Sequence, residues 1–71
     1  MKLPRDLSGP EIVRALRRMG FEVRHQRGSH IRLVKGPCRV TVPNHGTLNV
    51  RTLASILSQA NASIEDLIPH L

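Results

Sequence analysis

The apolar residues of this 71-residue chain change their period twice. Only a switch from helix to strand and back accommodates both periods. Ile12, Val13, Leu16 and Met19 recur at helical spacing. From Phe21 to Val42 apolar residues alternate with polar ones, and Leu53, Ile56, Leu57 and Ala60 then restore the helical spacing. The predicted order is helix, three strands, helix: an α+β domain with an open three-stranded antiparallel sheet and helices on one face. A single domain over residues 1–71 is expected. A chain of this length buries only about 60–65% of its unfolded surface, so its core is small.

Local signals set the boundaries. Met1 to Leu7 reads as a short lead-in. Ser8-Gly9-Pro10-Glu11 has the form of a capping box, with Ser8 at the N-cap and Glu11 three residues on. Leu7 and Ile12 are placed to close a hydrophobic staple over it. Gly20 ends this helix. Asn49 is the expected N-cap of the second helix, which ends near Asn61. Ser63-Ile64-Glu65-Asp66 opens a last helical turn, with Leu67, Ile68 and Leu71 available to pack.

The first hairpin has two candidate registers. A two-residue loop at Arg27-Gly28 sets Val23 beside Arg32. A three-residue loop, Gln26-Arg27-Gly28, pairs Val23 with Ile31, Phe21 with Leu33 and Glu22 with Arg32, which matches apolar and charged partners better. The second is the expected register; it puts Gly28 at a left-handed position and His30 opposite Arg24. In this register His25 falls on the apolar parity and takes no role. A Gly36-Pro37 turn then sets Leu33 opposite Val40, Ile31 opposite Val42 and Arg32 opposite Thr41, with His30 near Pro43. The sheet acquires one apolar face and one carrying Arg24, His30, Arg32, Arg39 and Thr41.

Charge narrows the function. Eleven Lys and Arg stand against five Asp and Glu, a net charge of +6, and nine of the eleven lie from Arg14 to Arg51, where Glu22 is the only acid. Such a distribution attracts a polyanion. Phe21 is the only aromatic residue, so nucleic acid would be held by phosphate, sugar and shape and not by base stacking. No helix combines a basic face with bulky aromatics, which argues against a membrane surface. The single cysteine, Cys38, excludes an internal disulfide and fits a reducing compartment. No apolar run is long enough for a signal peptide or membrane helix, so the cytoplasm is the expected location.

Arg27-Gly28-Ser29-His30-Ile31-Arg32 concentrates the chemistry. An imidazole exchanges protons near neutral pH, and guanidinium groups grip phosphate. The alternative for His30 is a surface histidine closing a hairpin. Ser29 lies on the other side of the strand and reads as turn chemistry, with a possible accessory role. His45, in the loop beside Pro43, is a candidate second acid or base, or a loop histidine bonded to backbone. Arg24, Arg32 and Arg39 are candidate phosphate contacts; Lys35 at the second turn is a weaker one, and His70 sits in the tail. No His, Cys or carboxylate cluster has metal-ligand spacing, so neither a metal nor a small-molecule cofactor is expected.

The same residues carry a resemblance. The helix opening at Ser8-Gly9 and ending Leu16-Arg17-Arg18-Met19-Gly20-Phe21, the triplet Gly28-Ser29-His30, the loop Val42-Pro43-Asn44-His45 and the helix start at Thr52-Leu53 together resemble the HicA (YcfA-like) toxin family of bacterial toxin–antitoxin pairs. The resemblance spans roughly residues 8 to 68. It departs at Ile31, where many members carry a histidine or another polar or aromatic residue, and at Arg51, where a glycine is common. It implies a double-stranded-RNA-binding-domain-like fold, a metal-independent endoribonuclease acting on mRNA with His30 as its one essential histidine, and a HicB-like antitoxin as partner. Two other readings stay open: a non-catalytic RNA-binding module of the same fold, and a structural subunit that binds a protein through its basic face.

Overall fold

The computed structural model describes residues 7–71; the lead-in Met1 to Asp6 lies outside them. The element order is α1 (Gly9–Arg18), β1 (Glu22–Arg27), β2 (His30–Lys35), β3 (Cys38–Pro43), α2 (Val50–Ala60) and α3 (Ile64–Leu67), followed by a 3-10 turn over Ile68–His70. The strands form one antiparallel sheet in the order β1-β2-β3, the predicted α-β-β-β-α arrangement.

Each helix starts where its capping residues place it. Ser8 Oγ accepts from the Glu11 N–H, and the Glu11 carboxylate accepts from the Ser8 N–H at 3.1 Å. Asn49 caps α2 by accepting from the Thr52 N–H, and Asn61 ends it in the left-handed conformation, φ +54°. Ser63 and Asp66 form a second capping box on α3. Helix α1 stops after Arg18, and Gly20 follows at φ +106°. Lys35 Nζ donates to the Met19 carbonyl and sits 5.8 Å from the centre of the Phe21 ring. The lysine expected at the hairpin tip as a weak RNA contact thus closes the end of α1.

The core lies between the helices and one face of the sheet. Ile12 and Leu16 from α1, Leu33 from β2, Val40 and Val42 from β3, Ile56 from α2 and Leu67 from α3 are fully buried. Each contributes about 1.5–3 kcal/mol relative to an exposed side chain. Leu7 and Ile12, the expected staple pair, are both buried, while Leu71 remains 43% exposed and does not pack as anticipated. Gln59 on α2 accepts from the Thr41 N–H at 3.0 Å, covering part of the outer edge of β3. Strand β1 supplies no buried residue at all.

A backbone clasp joins α1 to the segment after β3. The Gly9 N–H donates to the His45 carbonyl at 2.8 Å, and the Leu48 N–H donates to the Leu7 carbonyl at 2.8 Å. A Cβ on Gly9 would collide with the Pro43 carbonyl oxygen, so only glycine admits this approach. Gly9→Ala is expected to force the clasp apart at about 1–3 kcal/mol, the scale of overpacking. For a domain this small the melting temperature should fall by roughly 4–8 °C per kcal/mol; thermal unfolding by circular dichroism measures it.

The capping boxes also set an acid dependence. The Ser8 N–H, and after it the Ser8 hydroxyl, hold the Glu11 carboxyl below the usual range; the Ser63 N–H and hydroxyl do the same for Asp66. A carboxyl lowered on folding contributes stability above its unfolded pKa and loses it as pH falls through the folded one. Melting temperature should therefore fall as pH drops below about 4. Glu11→Gln and Asp66→Asn should each flatten that fall in melts recorded from pH 7 to pH 2.

Candidate nucleic-acid interface

The second hairpin has the predicted register: Ile31 opposite Val42, Arg32 opposite Thr41, Leu33 opposite Val40 and His30 opposite Pro43. The first does not. Arg27 pairs with His30, Gln26 with Ile31 and His25 with Arg32, so the loop is the two-residue Gly28-Ser29. Gly28 has φ +59°, and Ser29 is not among the residues at positive φ, which is the pattern of a type II′ turn.

This turn would drive Arg24 onto the core face opposite Leu33 if the ladder ran on regularly. A bulge between Val23 and His25 prevents it: Arg24 is left out of the pairing, and Val23 meets Leu33 instead. One inserted residue thus satisfies both the turn and the apolar pattern. Val23 faces the helix side yet stays 43% exposed, because there it borders a depression lined by Arg14, Arg17 and Arg18 of α1. Phe21, expected in the strand, precedes it and is buried in the core.

These shifts change the membership of the outer face. His30 and Arg32 point outward, since Ile31 and Leu33 on the same strand are buried. Their cross-strand partners Arg27 and His25 share that face. His25, Arg27, His30, Arg32 and Thr41 line one depression of about 550 Å³. Its lining carries two imidazoles, two guanidiniums and a hydroxyl, and no carboxylate. The expectation that His30 faces Arg24 is therefore corrected: Arg27 stands there, and Arg24 sits at the bulge outside the lining. His25 is corrected likewise, from the apolar parity to the cleft. The sequence signal for both was the Gly-Ser dipeptide, a two-residue hairpin pair with glycine first.

The remaining candidates lie around this cleft. Arg39 is exposed on the same face, opposite Val34. Ser29 is in the turn, and its carbonyl accepts from the Asn44 N–H. His45 is exposed outside the lining, with its carbonyl held by Gly9. Ile31 is 8% exposed and points into the core, away from the cleft. Among the described residues no three His, Cys, Asp or Glu side chains come together. Among the described residues no helix is long and apolar enough to cross a membrane.

A family model described as HicA toxin of bacterial toxin–antitoxin systems matches residues 9–62. The chain belongs to the HicA toxin family. That match runs from Gly9 of the clasp through the entire sheet to Ala62 beyond α2, so it includes all of the cleft. Membership in the HicA family makes this the toxin side of a toxin–antitoxin system, with an antitoxin as partner. No curated protein matches the chain.

The hairpin can be tested directly. Nothing lies within 4 Å of a Cβ built on Gly28, so the cost of a side chain there is backbone strain alone. Gly28→Val should destabilise by about 1–3 kcal/mol, read as a shifted midpoint in urea unfolding. A variant that unfolds with the wild-type midpoint would contradict the turn.

Proposed function

We propose that the protein is a metal-independent endoribonuclease that cleaves mRNA in the cytoplasm as a single domain over residues 1–71, with His30 as its essential histidine. The observation that supports this is the outer sheet face, where His30 lies in a carboxylate-free depression beside Arg27 and Arg32. In this reading the RNA 2′-hydroxyl attacks the adjacent phosphorus, His30 serves as general base or acid, and the guanidiniums stabilise charge on the phosphate oxygens. Arg39 extends the phosphate track along β3, and Arg24 adds positive potential from the bulge. A HicB-like antitoxin silences the toxin by covering this face with carboxylates, which suit its charge.

His30 is exposed on a face that buries nothing, so His30→Ala should change stability by less than about 1 kcal/mol. Loss of a positioned proton-transfer group costs about 10²–10⁴-fold in rate. His30→Ala should therefore abolish cleavage of a synthetic mRNA, and growth arrest in cells, while melting like wild type. Persistent cleavage by the folded variant would remove His30 from the reaction.

Binding should be strongly salt-dependent, because phosphate contacts release counterions. Neutralising Arg32 or Arg39 should reduce the slope of log affinity against log salt by about one unit each. Titrations of His30→Ala with labelled RNA measure this without turnover. A wild-type slope near zero would favour a protein-binding role for the basic face. Salt-dependent binding without cleavage would favour a non-catalytic RNA-binding module.

A further inference from the structure

We infer that His25 is a second catalytic residue of the cleft, the proton-transfer partner of His30; this rests on the RNA-cleaving reading proposed above. A 2′-hydroxyl displacement needs a proton removed at one end of the phosphodiester and another delivered at the other. One imidazole takes the proton of the 2′-hydroxyl as O2′ bonds to phosphorus. The P–O5′ bond breaks with its electron pair on O5′, which takes a proton from the second, protonated imidazole. The products are a 2′,3′-cyclic phosphate and a 5′-hydroxyl end, and the protons balance. A single histidine cannot flank both oxygens at once.

The structure puts the second imidazole where the step needs it. His25 is directly opposite Arg32, and His30 is two residues before Arg32 on the same strand. The two histidines are thus diagonal neighbours across one antiparallel ladder, about 7–8 Å apart. From there two imidazoles reach one bound phosphodiester from two sides. Both line the same depression, with Arg27 and Arg32 between and beside them. The side-chain hydrogen bonds among the described residues serve the caps and helix ends, Gln59 and the tail, and none engages His25 or His30. His45 is the weaker partner, because it lies outside the lining.

The bulge makes this arrangement. Residue parity counted from Phe21 puts His25 on the core side. Leaving Arg24 out of the ladder brings His25 to the outer face, while Val23 keeps its inward position. Bulges re-aim side chains beside active sites in this way.

Single-turnover cleavage of an unstructured RNA oligonucleotide by the full chain, from pH 5 to pH 9, tests the inference. Wild type, His30→Ala, His25→Ala and His25→Gln are compared. The charged groups facing His25 are Arg27 on its own strand, Arg32 across the ladder, Arg39 further along the face and Glu22 at the start of β1. A reaction that uses one general acid and one general base gives a bell-shaped profile, with one limb from each group.

Both His25 variants should lose about 10²-fold or more in rate at saturating RNA, with affinity near wild type and one limb of the bell removed. An unchanged rate in the His25 variants, with His30→Ala inactive, overturns His25 and leaves the cleavage reading standing. A loss confined to affinity, with both limbs intact, overturns it too and makes His25 a phosphate contact. Absence of cleavage by the wild type overturns both readings. His25 is exposed and outside the core, so melting curves of both variants should match wild type; the glutamine variant preserves a polar side chain if alanine disturbs the strand.

Discussion

The fold turns on one close backbone approach, where Gly9 at the start of α1 meets the end of β3. The Gly9 N–H is bonded to the His45 carbonyl, and the missing Cβ is what lets the Pro43 carbonyl come near. Pro43 in turn lies opposite His30, and Asn44 donates to the carbonyl of Ser29 in the first hairpin turn. The first helix, the third strand and the turn before His30 are therefore tied together by main-chain atoms. Side chains in this loop can vary without loosening the tie; the glycine cannot.

Strand β2 divides the labour. Ile31 and Leu33 supply the core, while His30 and Arg32, on alternate positions, supply the cleft. Period two makes this economical, since one strand fixes both sets and any slip by one residue would exchange them. The position of His30 is therefore as secure as the burial of Leu33. A polar residue in place of Ile31 would face the helices and not the cleft, so this position bears on packing.

Most of the architecture was legible because its signals are local. Ser8, Asn49 and Ser63 announce helix starts, and the stripe of Leu53, Ile56, Leu57 and Ala60 fixes the buried side of α2. The second hairpin was legible because its turn dipeptide and its apolar alternation agree. In the first hairpin they conflict. Apolar matching alone pairs Val23 with Ile31, whereas Gly28-Ser29 demands a tighter turn; the chain resolves the conflict with a bulge at Arg24. Period counting has no symbol for an inserted residue, so it leaves Arg27 in the loop and puts His25 on the apolar side. His30 keeps its place because it is on β2, where the alternation with buried Ile31 and Leu33 runs without interruption.

Strand β1 contributes two of the five cleft residues yet none of the core. Its ladder to β2 and the anchoring of Phe21 just before it are what hold it down. Local opening of an element costs roughly what its own contacts supply, so this strand separates from β2 at a smaller free energy than the whole domain needs to unfold. Such an opening dismantles the cleft while the helices remain packed on β2 and β3. A phosphate chain or an antitoxin lying across β1 and β2 would close that fluctuation by mass action. Occupancy of the face and integrity of the sheet edge are thus one equilibrium.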